Sequence, residues 1–150
     1  MKKFNSVEEV LVFAIERETE AHDFYTELAE RVENPALKKA LEGFAFEELG
    51  HKMKLEAVRE SELVINAEEV HGLAIADYVV DVKARDDMDY ADALLIAMKK
   101  EKAAFRLYSD LAELSEDAKL REMFLALAAE EAKHKLRFEV EYDDEVLKED

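Results

Sequence analysis

Six residues have the types and spacing of a metal-binding set: Glu18, Glu48 and His51 in the first half of the chain, and Glu101, Glu131 and His134 in the second. Each half supplies a lone Glu and then, further along, a Glu-x-x-His. On a helix, a Glu and a His three residues apart project from the same side about one turn from each other, so both reach one point. All six fall where an apolar stripe should run. A buried carboxylate is costly, and four together are worse unless something neutralises them. The stripes contain no Lys or Arg, and Lys52 and Lys135, which follow the two His residues, point off the inner face. Protons or metal ions remain, and two divalent cations would balance four carboxylates. Carboxylate and imidazole donors without sulfur suit iron or manganese, with zinc possible. One Glu-x-x-His alone is weak; two copies, each matched to an in-stripe Glu, carry the inference.

The elements that must position these residues read as four amphipathic helices. The first opens at Ser6, with Glu9 three residues on, a capping-box pattern. The second opens at Asn34-Pro35, a cap followed by Pro at the first helical position. The third is expected to open near Asp89 and the fourth near Ser115. Short connections make each consecutive pair an antiparallel hairpin, over 6–62 and 89–148, within a single domain spanning 1–150. The crossover at 63–88 is too long for a turn. Extended at ~3.3 Å per residue it spans ~80 Å, against ~40 Å for a 28-residue helix, so it can run the length of a bundle. Part of it, around Ile75 to Lys83, is expected to be helical, and the tail "EVEYDDEVLKED" reads as a fraying helix end.

The two hairpins are an internal repeat. Residues 12–56 align with 95–139 without a gap, placing Glu18 on Glu101, Tyr25 on Tyr108, Glu48 on Glu131 and His51 on His134. "YTELAE" falls on "YSDLAE". Such a repeat predicts an all-α four-helix bundle with a pseudo-twofold axis through its middle. A Glu from each of two helices and a Glu-x-x-His from each of the other two is the known donor set of dinuclear carboxylate bundles.

Composition narrows the function classes. Three Gly and one Pro in 150 residues favour long helices, and 49% hydrophobic residues exclude a disordered acidic chain. The absence of Cys excludes disulfides, thiolate metal sites and cysteine nucleophiles. A formal charge of −17 argues against nucleic acid and anionic membrane surfaces as partners. No apolar run is long enough to span a bilayer, and the N-terminus lacks a signal-peptide pattern, so a cytoplasmic location is expected.

The segments "ERETEAHDFYTELAE" with "EELGH", and "KEKAAFRLYSDLAE" with "EEAKH", resemble the rubrerythrin-type branch of the ferritin-like superfamily over nearly the whole chain. The resemblance implies a ferritin-like bundle with a di-iron centre ligated by Glu18, Glu48, His51, Glu101, Glu131 and His134. It implies that Glu48 and Glu131 bridge the metals, that Glu18 and Glu101 are terminal ligands, and that the chain forms a homodimer. Two departures stand out. Full rubrerythrins carry a cysteine-ligated rubredoxin domain, and this sequence has no Cys. They also carry a second Glu on the third helix, where this sequence has Ala104, matched by Ala21 in the first repeat.

Tyr25 and Tyr108 lie two turns beyond Glu18 and Glu101 on the same faces, and are expected to hydrogen-bond ligand carboxylates. His22, whose repeat partner is Phe105, reads as a boundary residue, and His71, beside Gly72, as exposed. Phe24, Phe44, Phe46 and Phe124 read as core or subunit interface, and aromatic residues on the crossover as a second interface candidate. The functional expectation is an oxidoreductase that reduces peroxide or O2 with electrons from a separate donor, such as a rubredoxin-like protein, or from Fe(II) itself. The competing expectations are iron handling (ferroxidase activity, storage or delivery) and a bundle that binds metal only for structure.

Overall fold

The computed structural model describes residues 2–61, 65–80 and 88–149. Helices α1 (Val7–Arg31) and α2 (Pro35–Glu60) form one antiparallel hairpin; α4 (Tyr90–Leu114) and α5 (Ala118–Glu149) form the other. Between them lie a one-turn helix, α3 (Ala67–Val70), and a 3-10 turn at Ile75–Tyr78. The remainder of the segment expected to be helical, 81–83, lies outside the described residues.

Local signals set most boundaries. Ser6 Oγ accepts from Glu9 N at 3.0 Å, Asn34 Oδ1 from Ala36 N and Leu37 N at 2.9 and 3.1 Å, and Asp89 Oδ1 from Asp92 N at 2.8 Å. Each satisfies amide donors that the first helical turn leaves open. The fourth long helix corrects the reading at Ser115. Asp117 Oδ1 accepts from Lys119 N at 2.8 Å and from Leu120 N at 3.1 Å, so Asp117 caps α5. Ser115 instead closes α4: it is buried, and its hydroxyl donates to Leu111 O at 2.7 Å. The tail, read as a helix end, is helix, with α5 running on to Glu149. Phe138 is fully buried against Tyr25 and Phe44, and Tyr142 packs beside the same cluster. This anchors the helix well past the site.

Burial divides into two apolar clusters. One unites the start of α1 (Val10, Leu11), the end of α2 (Leu55, Val58), the end of α4 (Leu107, Leu111) and the start of α5 (Leu120, Phe124). The other unites the opposite ends, with Leu28, Leu41, Leu94 and Phe138. Helices α1 and α4 are therefore antiparallel, and so are α2 and α5. The crossover starts at the first cluster, where Ile65 bridges to Ser115 and Lys3 to Ala74. It reaches the second at buried Met88, whose carbonyl accepts from Arg31 in the last turn of α1. Ile65 and Met88 thus lie at opposite ends of the bundle. Tyr78, the one aromatic residue on the crossover, is buried and donates to Asp110 Oδ2 at 2.5 Å. It offers no exposed interface, contrary to the expectation. Among the four singled-out phenylalanines, Phe24 and Phe124 are buried, Phe44 is partly buried, and Phe46 is 77% exposed.

Replacing Asp117 with Ala removes the acceptor for two amides at the start of α5. We expect a loss of about 1 kcal/mol of stability, measurable as a lower urea midpoint at unchanged slope.

Candidate metal centre

The belt between the two apolar clusters is polar. Glu18 on α1, Glu48 and His51 on α2, Glu101 on α4, and Glu131 and His134 on α5 are each at most 2% exposed. The helices have no choice about this. The same stripe that supplies Leu11, Leu41, Leu94 and Phe124 to the clusters carries these six inward about two or three turns later.

His51 Nδ1 lies 2.9 Å from Glu131 Oε1, 3.5 Å from Glu48 Oε1 and 3.6 Å from Glu18 Oε2. His134 Nδ1 lies 3.4 Å from Glu48 Oε1 and 3.5 Å from Glu101 Oε1. Donors that share a cation at about 2.1 Å each stand about 3 to 4 Å apart. Two quartets follow: Glu18, Glu48, His51 and Glu131, and Glu48, Glu101, Glu131 and His134, with ligand atoms in each within 4.8 Å of one another. Glu48 and Glu131 belong to both, while Glu18 and Glu101 belong to one each. Glu18 Oε2, Glu48 Oε1, His51 Nδ1, Glu101 Oε2, Glu131 Oε1 and His134 Nδ1 are all buried without a hydrogen-bond partner. Unpartnered buried polar atoms are rare in folded proteins. Six converging on one belt, with the donor chemistry of carboxylate and imidazole, fit a pair of divalent cations.

The outer contacts cross between hairpins. Tyr25 OH donates to Glu101 Oε1 and Tyr108 OH to Glu18 Oε1, so each tyrosine holds the carboxylate of the other repeat. Burial, and then the charge of the facing Glu, hold both phenols well above their ordinary range, which keeps them donors. His51 Nε2 meets Glu130 Oε2, and His134 Nε2 meets Glu47 Oε2. A carboxylate on Nε2 fixes the proton there and leaves Nδ1 as the inward lone pair. Phe44 lies 4.2 Å from the His134 ring and braces it. Sequence reasoning missed Glu47 and Glu130. The signal was present: each Glu-x-x-His is preceded by a second Glu, in "FEELGH" and "EEAKH" alike.

Electrostatics show what the belt does with protons alone. Burial, and then the charge of Glu48, push Glu18 up to about 8. Burial raises Glu101 also, and raises Glu131 well above the carboxylate range with help from Glu101 and Glu48. Burial works in the same direction on Glu48, but the close approach of His134 and Glu131, with the charges of the two imidazoles, outweighs it and holds its carboxyl low. Burial would lower the two imidazoles. Instead, the nearby carboxylates of Glu18 and Glu48 raise His51 to about 9, and those of Glu101 and Glu48 raise His134 to about 11.

A cavity of about 420 Å³ opens between α1 and α4 and reaches Glu18, Glu48, Glu101 and Glu131. Ala21 and Ala104 line it, so the small residues at matching repeat positions leave the carboxylate side of the belt accessible. His22 is half-buried, pairs with Asp23 at 3.0 Å and takes no part in the cluster. His71 is exposed, with Nδ1 3.1 Å from Phe4 O.

A family model described as Rubrerythrin matches residues 9–142. A Thermotoga maritima protein described as ferritin-like diiron-carboxylate is similar in structure, with a TM-score of 0.80, 24% identity, and coverage of 97% of this chain and 99% of that one. A hypothetical protein of Pyrococcus furiosus is similar at a TM-score of 0.71 and 26% identity, covering 91% of this chain and 87% of that one. No curated protein matches the sequence.

Two predictions follow from this geometry. In metal-free protein, Glu18 has a folded-state pKa of about 8 against an ordinary 4.5, and His51 about 9 against 6.5. Both are raised, so each contribution to stability is complete below the ordinary value and is lost as pH rises through the folded one. Thermal denaturation of metal-free protein should therefore fall steadily from about pH 5 to about pH 9, while divalent cations should abolish most of the slope. Replacing Glu130 with Ala frees His51 Nε2 and should weaken metal binding about 10- to 100-fold in a competitive chelator titration, with the helical content unchanged.

Proposed function

Because this chain belongs to the rubrerythrin family, we propose that the belt holds two iron ions and reduces peroxide or O2 with electrons from a separate donor. The observation that carries this reading is the convergence of six unpartnered, symmetry-matched donor atoms on a belt that a cavity reaches from outside. Glu48 and Glu131 would bridge the pair, Glu18 and Glu101 would hold one metal each from the α1 and α4 side, and His51 and His134 would bind through Nδ1. The pair of irons, when bound, supplies the two electrons that reduction of peroxide to water requires.

The remaining work belongs to the chain. Tyr25 and Tyr108 orient the terminal carboxylates. Glu47 and Glu130 fix the imidazole tautomers. The apolar clusters above and below keep bulk water from the belt, so the oxidant enters between α1 and α4. The open carboxylate side favours a reactive site over a metal pair sealed in for structure. Without a Glu at Ala104, the donor set is the symmetric six. Fixed ligands on both metals are thus part of this reading.

The test is anaerobic loading with Fe(II), metal counting, and peroxide addition with an artificial reductant. Two irons per chain, and peroxide-dependent oxidation of the reductant that disappears in Glu131→Ala, are expected. Uptake of many irons per chain would replace this reading with iron handling. A tight pair that peroxide leaves spectrally unchanged would reduce the site to a structural one.

A further inference from the structure

We propose that the cavity between α1 and α4 binds an amphipathic organic anion, of the class of medium-chain carboxylates, with its apolar body inside and its charged head on the basic face of α4. This rests on the metal-centre reading, since the inner end of the cavity is formed by the same four glutamates.

Size comes first. Peroxide or O2 needs the room of one or two water molecules, about 30 Å³ each in the liquid. The cavity is about 420 Å³, and cavities that hold organic ligands begin at about 300 Å³. It would accommodate on the order of a dozen non-hydrogen atoms. Its walls suit an apolar body. Phe24 and Ala21 on α1 face Ala104 and Leu107 on α4, with Val79 and Val80 at the crossover edge. With two divalent cations bound, the four inner carboxylates are neutralised, so an apolar end resting there meets no net charge.

The mouth supplies the head-group chemistry. Lys100 lines the cavity with Nζ 5.7 Å from the Phe24 ring centroid. No ion pair involves Lys100 among the described residues. A neighbouring groove shares Val79, Val80 and Ala103 with the cavity and is lined by Lys99, Lys102 and Arg106. Of these, Arg106 pairs with Asp77 at 3.4 Å. Three lysines thus gather at one edge of a cavity in a chain whose formal charge is −17; Lys99 and Lys102 have no ion pair among the described residues, and Glu20 is the acidic neighbour of Lys100. On the α1 side, Arg17 is paired with Glu20 at 3.2 Å, and Asp23 and Glu27 add negative charge. The head is therefore directed to α4, where a carboxylate meets ammonium groups and is kept from the acidic wall.

The test uses the full chain loaded with Zn(II), with metal counted on the same sample, and titration calorimetry with sodium decanoate. Acetate serves as a head without a body, and decyltrimethylammonium as a body with the opposite charge. We expect one decanoate per chain, bound at least about tenfold tighter than either control. Ala104→Phe should abolish binding by filling the cavity. The exposed pair Lys99→Glu with Lys102→Glu, which leaves the core untouched, should weaken it several-fold at low salt and serves if Ala104→Phe fails to fold. Decanoate that binds no tighter than the controls, binds at many sites, or ignores both variants would overturn the inference. If two zinc ions are bound and decanoate is not, the cavity inference falls and the metal centre stands. If no metal is bound, the metal-centre reading falls, and decanoate failing to bind that metal-free protein overturns the cavity inference as well.

Discussion

Four carboxylates within a few ångströms of one another, in a belt from which water is nearly excluded, set the terms for the rest of this bundle. Leaving them ionised and unpaired is far costlier than any gain from packing around them. Protons or cations must sit there. Without metal, the belt is a proton store, with Glu18, Glu101 and Glu131 raised, Glu48 held low, and two imidazolium rings between them. The same raised affinities that gather protons mark where positive charge is wanted. A pair of divalent ions satisfies that demand at fixed positions.

The surrounding structure exists to keep such a belt in place. An apolar cluster on each side supplies the hydrophobic stabilisation that the belt lacks. Phe138 packs at a tilt against Tyr25 on one side, and Phe124 stacks on Tyr108 on the other. The tyrosines join cluster to belt: their rings are core, and their hydroxyls reach a glutamate of the opposite hairpin. The Glu47–His134 and Glu130–His51 contacts do the same on the α2 and α5 side. Every outer contact to the belt therefore spans the two repeats, and the hairpins cannot separate without breaking all four.

The two sides of the belt differ. Histidines, outer carboxylates and a bracing phenylalanine fill the side of α2 and α5. The side of α1 and α4 carries alanines and is hollow. That asymmetry gives the centre an open face, and it comes from residue size at Ala21 and Ala104.

Much of this was written in the sequence. The three-and-four spacing of Leu and Val residues dictates helices, because only one face of each can be buried. Ser6, Asn34 and Asp89 mark helix starts through local hydrogen bonds that need no tertiary context. The gapless repeat brings Glu18, Glu48 and His51 into register with Glu101, Glu131 and His134, since equal spacings on equal helices give equal heights. Sequence pattern was weaker where two capping residues competed: Ser115 and Asp117 look alike, and burial of Ser115 against the crossover decided between them. The partners of Tyr25 and Tyr108, the roles of Glu47 and Glu130 and the hollow beside Ala104 were fixed only in three dimensions. Each depends on which helix lies opposite, and that is set by the packing of two hairpins, which no spacing within one helix encodes.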